Sequence, residues 1–282
     1  MSNSARVITL TPAPAIDRTY LVDSLHLGEV HRARESHAEL AGKGVNVSSG
    51  LVLAGIPSLA VVPLTREEAA SADDEIIYAH TISHLLRVNI TVLDDDGHTT
   101  KINEKAPPLT TADWTGLVET TLSLAREHQS PWILLAGTIP SSAEGAALDL
   151  QALFESAHSQ GILVGLDTSG SPLLELARSG LPDVIKPNAP ELAECVGRPL
   201  LTLGDVVEAA QEVQQWGVTH VLVSLGPDHP DEFAHAVARG VAWGALKVQE
   251  VSSQLQSLEG LPDVTLTDSP EHGRMLLEPG VI

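Results

Sequence analysis

Cysteine is almost missing from this sequence, whose 282 residues include only Cys195. A single cysteine cannot form a disulfide within the chain, so no covalent cross-link contributes to the fold. This cysteine usage is typical of proteins from a reducing compartment. We therefore expect a cytoplasmic protein in which Cys195 has a structural role.

Basic side chains are also scarce. The chain has 16 Lys and Arg residues against 37 Asp and Glu residues, which gives a formal net charge of −21 at pH 7. A field of that sign repels nucleic acid and anionic membrane surfaces, so we expect neither as a partner. If the substrate itself carries phosphate, the few basic residues must be concentrated around it. A lysine or arginine beside glycines is therefore informative.

Long apolar runs are absent as well. No stretch approaches the ~18 to 20 apolar residues of a membrane span. The first letters, MSNSARVITL, contain neither a basic leader nor a cleavage site. With 43% hydrophobic residues the chain can bury a substantial core. We expect a soluble globular protein with a single domain over residues 1–282.

The sequence does contain a regular alternation of two kinds of segment. Short runs rich in apolar and β-branched residues predict strands, and the longer segments between them have helical periodicity. The predicted strands are 7–11, 59–64, 132–136, 162–167, 184–186 and 218–224, and predicted helices include 45–54, 111–128 and 143–160. The alternation predicts an α/β fold with a doubly wound, mostly parallel sheet. Ligands of such sheets bind beyond the carboxyl ends of the strands.

Two segments interrupt this alternation, at about 17–39 and 88–104. Their polar and apolar residues alternate, and Asp96-Gly97 marks a hairpin turn in the second segment. Strands of this kind do not suit a sheet that is buried on both faces. We expect them to form a small antiparallel β lid over the site. The exposed face of that lid is a candidate surface for a homodimer.

A lysine between two glycines, Lys43 in the stretch LAGKGVNVSSGL, precedes a predicted helix. Glycines at such a place let backbone N–H groups approach an anionic or hydroxylated ligand, and Lys43 adds a mobile charge. A tight turn with a solvated lysine explains the stretch equally well. Neither the Rossmann fingerprint nor the Walker A motif matches, because the third glycine of the first and the Ser or Thr of the second are missing.

A series of motifs carries a resemblance to a known family. TLTPAPAIDRTYLVDSLHLGEVHRARESHAELAGKGVNV is followed by RVNITV, DGHTTKINE, LLAGTIP, GLDTSG, IKPNAPEL and LVSLG, which together span residues 7–226. The sequence thereby resembles the ribokinase-like (phosphofructokinase B) carbohydrate kinases, within them the 1-phosphofructokinase and tagatose-6-phosphate kinase branch. The resemblance implies a ribokinase-like fold. It also implies transfer of the γ-phosphoryl group of ATP, with Mg²⁺, to a ketohexose phosphate.

The resemblance further implies which residues bind the sugar phosphate. Asp17 is expected at the sugar hydroxyls, and the basic residues near the phosphate of the sugar. The implied sugar-side residues are Asp17, Arg32, Gly42, Lys43, Asn46 and Arg87. Such roles are chemically sensible, because a carboxylate accepts from hydroxyls while guanidinium and ammonium groups suit a phosphate. Without the surrounding motifs, Asp17 would be interpreted as a turn carboxylate.

On the nucleotide side the resemblance implies Lys186, Asn188, Ser224 and Gly226, with Glu191 near the metal. Asn188 and Glu191 form an N-x-x-E element that acts largely through water. Since Mg²⁺ retains several waters, a single nearby carboxylate is enough. The two residues also fit a helix start, with Asn188 as the cap and Glu191 at the third helical position. Both roles are compatible.

One motif of the family is missing. Members place two further strands and a G-A-G-D turn after S-L-G; its aspartate is the general base and its N–H groups form the anion hole. This chain continues from Gly226 as PDHPDEFAHAVARGVAWGALKV, which resembles the next helix of the family. A block of several tens of residues is therefore absent, and the catalytic residue is unknown. We expect turnover to be nearly abolished.

Other candidate groups have simpler interpretations. Asp228 could replace the missing base, but it fits better at the start of a helix over 233–247. His80 and His84 are four apart on a predicted helix, a spacing that can bind zinc, although the twelve histidines of the chain are scattered. The acidic run at 94–96 is expected to be the solvated tip of the hairpin.

Three functional hypotheses follow. The first is a sugar-phosphate kinase of the 1-phosphofructokinase type. The second is a non-catalytic relative that binds a sugar phosphate or a nucleotide, and the missing G-A-G-D block favours it. The third is a dinucleotide-dependent oxidoreductase, which is disfavoured because no complete glycine fingerprint follows the first strand.

Overall fold

The structure, a computed structural model, describes residues 5–72, 75–225, 273 and 275–280. Its strands are β1 (Val7–Leu10), β2 (Ala15–Leu21), β3 (Glu35–Ala41), β4 (Ser58–Leu64), β5 (Ile77–Thr81), β6 (Arg87–Leu93), β7 (Thr99–Asn103), β8 (Trp132–Ala136), β9 (Leu163–Asp167), β10 (Val184–Ile185), β11 (Leu200–Thr202), β12 (His220–Val221) and β13 (Met275–Gly280). Its helices are α1 (Lys43–Leu53), α2 (Arg66–Ala69), α3 (Thr111–Glu127), α4 (Gln151–His158), α5 (Gly170–Ser179), α6 (Ala189–Val196) and α7 (Leu203–Gln215).

The main sheet has seven strands in the order β12-β10-β9-β8-β1-β4-β5. All neighbouring pairs are parallel. Its central strands are buried on both faces, since Ile8 and Leu10 on one face and Thr9 and Ala136 on the other have no exposed surface. The α/β prediction is confirmed. The strand order runs outward in both directions from β1 and β8, and the carboxyl ends at such a reversal form the crevice where ligands of doubly wound sheets bind.

Helices cover both faces of this sheet, and apolar side chains on α3 and α4 supply much of the core. Trp114 is buried on α3, and its indole N–H donates to the carbonyl of Asp149 at 2.9 Å. The helix predicted over 143–160 is shorter than expected, because α4 begins only at Gln151. Gly145 has φ +78°, a left-handed conformation that a continuous helix does not allow.

A second sheet has four strands in the order β3-β2-β6-β7 and corresponds to the predicted lid. Its outer pairs are antiparallel as expected, whereas the central pair of β2 and β6 is parallel. A parallel pair needs a long crossover connection, and here the segment from β3 to β5 provides it. Gly97 has φ +82° in the turn between β6 and β7, which confirms the predicted hairpin.

The histidine pair has a different setting from the predicted helix, and that prediction is wrong. His80 lies on β5, which pairs in parallel with β4, and Pro63 is its partner in that register. Its ring packs against Gly116 of α3, where an added Cβ would lie 2.5 Å from the ring. The His80 ring also hydrogen-bonds the Thr120 hydroxyl at 3.3 Å. His80 is thus a packing residue of the sheet edge.

Further elements lie at the periphery of the molecule. β11 and β13 form a two-stranded antiparallel sheet, and Leu276 of β13 belongs to the buried core. Of the helices that the structure describes, none is long and apolar enough to cross a membrane. The helix predicted over 233–247 lies outside the described residues.

Candidate active site

The glycines around Lys43 allow helix α1 to start directly against the end of β1. Lys43 is the first residue of α1, and Gly42 is its cap. A Cβ added at Gly44 would lie 2.4 Å from Thr11 Oγ1 and 3.1 Å from Thr9 Oγ1, and one at Gly42 would lie 2.6 Å from Thr11 Cγ2. Close approach of the helix to the strand therefore requires both glycines.

Replacement of Gly44 by Ala is expected to lower the free energy of unfolding by about 1–3 kcal/mol, as overpacking usually does. Helix propensity alone would favour Ala by up to ~1 kcal/mol, so a loss of stability in Gly44→Ala can be attributed to the steric clash. Urea unfolding followed by circular dichroism measures it. The cost should fall in a Thr11→Ala background, which removes the atom in closest contact. Equal costs in both backgrounds would contradict this explanation.

A buried carboxylate, that of Asp167, holds two lysines at the carboxyl edge of the sheet. Lys43 Nζ donates to Asp167 Oδ1 at 2.8 Å, and Lys186 Nζ lies 3.3 Å from Asp167 Oδ2. The Asp167 side chain is 8% exposed, while each lysine side chain is 46% exposed. Lys43 was predicted on the sugar side and Lys186 on the nucleotide side. The two halves of the predicted site therefore meet at Asp167.

On the sugar side, the lid contributes Asp17 from β2 and two residues from β6. Asn89 lies opposite Asp17 in the parallel pair, and its Nδ2 donates to Asp17 Oδ1 at 2.9 Å. Arg87 Nη2 donates to the carbonyl of Ala13 at 3.2 Å and to Thr138 Oγ1 at 3.5 Å. Burial lowers the pKa of Arg87, although the nearby Asp17 carboxylate acts in the opposite direction.

Four buried polar side-chain atoms lack a hydrogen-bond partner in the described part of the chain. They are Thr11 Oγ1, Asn46 Oδ1, Arg87 Nε and Asn89 Oδ1. Asn46 and Arg87 are themselves predicted for the sugar side, and Asn89 contacts the predicted residue Asp17. Thr11 lies against Gly42 and Gly44, on either side of Lys43. Buried polar groups in proteins are nearly always paired, so four such atoms single out these residues as a candidate ligand site.

The remaining sugar-side prediction, Arg32, is not brought into this cluster. It is exposed in the loop between β2 and β3 and makes no hydrogen bond or ion pair with any described residue. Its role at the sugar phosphate stays a prediction. Conversely, the structure adds Asn89, Thr138 and Asp167. The sequence offered a signal for each, because they lie within the motifs RVNITV, LLAGTIP and GLDTSG.

The nucleotide-side residues converge beyond the ends of β10 and β12. Asn188 Oδ1 accepts from the Glu191 N–H at 2.8 Å, and Glu191 Oε2 accepts from the Asn188 N–H at 2.8 Å. This capping box at α6 confirms the capping interpretation of the two residues. Ser224 bridges to Asn188, and its N–H donates to the carbonyl of Pro187 at 3.0 Å. Gly226 and Asp228 lie outside the described residues.

Cys195 does not contribute a nucleophile. It is buried in α6, and burial raises the pKa of its thiol to about 11, so the thiolate is scarce at neutral pH. Its structural role agrees with this setting.

Comparison with known proteins decides between the families considered. A family model described as pfkB family carbohydrate kinase matches residues 8–229. The chain belongs to the pfkB family of carbohydrate kinases. This membership confirms the resemblance in the motifs and rules out the oxidoreductase hypothesis, while ATP use follows from membership in a kinase family.

Two relatives with curated names and one solved structure illustrate the pfkB membership. The chain is 27% identical to a 1-phosphofructokinase of Vibrio cholerae, over 93% of this chain and 90% of that protein. It is 32% identical to a 1-phosphofructokinase of Haloferax volcanii, over 79% of this chain and 71% of that protein. Phosphofructokinase-2 from Escherichia coli, solved in complex with fructose-6-phosphate, superposes with a TM-score of 0.70 at 26% identity, over 80% of this chain and 75% of that one.

The same comparisons bear on the missing block. The alignment with the Vibrio cholerae protein spans 302 positions although it covers only 93% of a 282-residue chain, so roughly 40 positions have no residue of this chain. The match to the pfkB family model ends at residue 229, close to the point where the G-A-G-D block is expected. The alignment length agrees with a missing stretch of residues, and its identity with the G-A-G-D block stays a prediction.

Proposed function

We propose that this pfkB family member binds a ketohexose phosphate and that its reaction is of the 1-phosphofructokinase type. The observation that carries the proposal is the set of four buried, unpartnered polar atoms on Thr11, Asn46, Arg87 and Asn89. Asn89 contacts Asp17, and Thr11 lies against the glycines on either side of Lys43. A carboxylate and amides suit sugar hydroxyls, and Arg87 and Lys43 suit phosphate oxygens. The names of the relatives, and the fructose-6-phosphate in the Escherichia coli structure, support the same substrate class.

ATP is proposed to bind on the other side of Asp167, along Lys186, Asn188, Ser224 and Gly226. Lys186 is half exposed there and can reach phosphate oxygens. Glu191 is proposed as the carboxylate near Mg²⁺. One of its oxygens is occupied by the Asn188 N–H, which leaves the other to face a metal held mainly through water. A bound Mg²⁺ would neutralise charge on the transferred phosphate.

A second candidate function is supported by the missing G-A-G-D block. A chain without the general base and the anion hole can retain its sugar side and its ligand affinity while it loses turnover. In that case the protein would be a non-catalytic relative that binds a sugar phosphate or a nucleotide. Both candidate functions use the same sugar-side residues, and they differ only in whether the chain transfers a phosphoryl group.

We also propose that the lid sheet pairs two copies into a homodimer and that the protein works in the cytoplasm. Ile102 on β7 is 59% exposed, and Leu27 at the tip of the loop between β2 and β3 is fully exposed. Exposed apolar side chains on the lid favour an interface there. The single cysteine supports a reducing compartment.

Binding of the sugar is tested by thermal protection of the full chain. Fructose 1-phosphate, tagatose 6-phosphate and fructose 6-phosphate are each added without nucleotide, and free fructose serves as the control. A ligand at one hundred times its Kd stabilises by about 2.7 kcal/mol, which raises Tm by several degrees. Protection by at least one sugar phosphate but not by fructose is expected. No protection by any of the three would contradict both candidate functions.

A further inference from the structure

Asp167 contacts two lysines, so the net charge of the site depends on all three side chains. Lys43 comes from α1 and Lys186 follows β10, yet both nitrogens reach the same carboxylate. The end of β9 that carries Asp167 is held in place, since Thr168 Oγ1 donates to the carbonyl of Gly137 at 2.8 Å and Gly137 N–H donates to the carbonyl of Asp167 at 2.8 Å. The carboxylate is therefore fixed, and the lysine side chains are the movable partners.

The exposure of the three groups is unequal in a way that matters for ligands. The Asp167 carboxylate is nearly buried, while both lysine side chains are about half exposed. Neither lysine has a second ion pair within the described ranges. Two ammonium groups and one carboxylate leave the cluster with one net positive charge, so a phosphate that approaches the lysines also meets the field of Asp167.

We propose that Asp167 is a positioning residue that acts as an internal anion: it holds Lys43 and Lys186 together in the ligand-free protein, and a phosphate must compete with it for them. This inference rests on the proposed function, in which both lysines face ligand phosphates. It makes the sugar-side and nucleotide-side lysines one anion site rather than two. It also makes the affinity of that site depend on the carboxylate as much as on the lysines.

A purely structural ion pair would behave differently. If Asp167 only stabilised the fold, its replacement by Asn would lower Tm and leave the affinity of the folded protein for phosphate unchanged. An internal anion repels the phosphate and therefore lowers the affinity of the site for it. Removal of the Asp167 charge then raises that affinity, because the two lysines attract the phosphate without opposition. The two interpretations thus differ in phosphate affinity.

The test uses inorganic phosphate as the probe, in EDTA to exclude divalent cations, with isothermal titration calorimetry on the full chain. The variants are Asp167→Asn, Lys43→Met and Lys186→Met. Glu155→Gln is the matched control, because Glu155 is exposed on α4 and its replacement changes the net charge by the same amount as Asp167→Asn. We expect Asp167→Asn to bind phosphate about tenfold more tightly than the parent, and Glu155→Gln to bind like the parent.

Either lysine substitution brings the cluster to zero net charge, so each alone is expected to weaken phosphate binding at least about tenfold. These two variants keep the proposal testable if Asp167→Asn does not fold. Unchanged or weaker binding by folded Asp167→Asn would overturn the proposal, as would single lysine variants that stay within about twofold of the parent. Absence of measurable phosphate binding in every variant would overturn it too.

Failure of this inference can be told apart from failure of the proposed function. Sugar phosphates that give no thermal protection, together with the expected phosphate pattern, would leave the internal anion in place and reject the sugar substrate. If a sugar phosphate protects the chain but Asp167→Asn binds phosphate like the parent, the sugar substrate is supported and the internal anion is rejected.

Discussion

Release of ADP by the purified chain, with Mg²⁺, ATP and fructose 1-phosphate, is expected to be at least about 10³-fold slower than by an intact 1-phosphofructokinase. The intact mass of the preparation should first match 29.7 kDa, so that the deletion is verified. A coupled assay under identical conditions, with the Vibrio cholerae relative as the reference enzyme, measures the difference. Tagatose 6-phosphate and fructose 6-phosphate are assayed in the same way.

The size of this effect follows from what phosphoryl transfer requires. The protein contributes mainly the position of the reactants and donors aimed at the charge that develops on the transferred group. Loss of one such group, such as an arginine finger, costs ~10³ to 10⁵ in rate. The chain keeps Lys43 and Lys186 near the expected path of the phosphate, but it lacks the motif that would supply both the general base and the N–H donors.

Residual activity needs a control for contaminating kinases. Lys186→Met should remove any turnover that belongs to this chain, whereas contaminating turnover would persist. A verified chain that turns over within about tenfold of the reference would contradict the expected loss. In that case Asp228 would be the first candidate for a replacement base, and Asp228→Asn would be expected to abolish the activity.

Much of the fold could be predicted from the sequence, because its signals are local. The β-branched runs and the helical segments identified the main sheet, and the polar alternation with Asp96-Gly97 identified the lid. His80 was misplaced because spacing alone cannot distinguish a helix from a sheet-edge strand paired to β4. The helix before Gln151 was extended too far because the left-handed conformation of Gly145 depends on its tertiary setting.

The candidate site was harder to predict, since its contacts connect distant parts of the chain. Lys43 and Asp167 are 124 residues apart, and Asp17 and Asn89 are 72 apart. A motif can say that each residue is present, but only the strand order places Lys43 and Lys186 on one carboxylate. Asn89 lies within the motif RVNITV, but its role was missed because its pairing with Asp17 is visible only in the structure.

Replacement of Arg87 by Met is expected to weaken binding of the protecting sugar phosphate by about 10²-fold, the effect of losing a charged hydrogen-bonding group from a partly buried site. Arg87 is oriented by the carbonyls of Ala13 and Glu104 and by Thr138, so its charge is fixed before a ligand arrives. These contacts use three of the five N–H groups of the guanidinium, which leaves donors for the ligand. Isothermal titration calorimetry with fructose 1-phosphate or the best protecting sugar phosphate measures the loss.

Arg18→Met is the matched control for this substitution. Arg18 follows Asp17 on β2, so its side chain points to the opposite face of the lid, and it is exposed. The control removes the same charge from the same sheet and should change the affinity by no more than about twofold. Equal losses in the two variants would mean that the general field of the lid attracts the phosphate, and a folded Arg87→Met variant with parental affinity would remove Arg87 from the site.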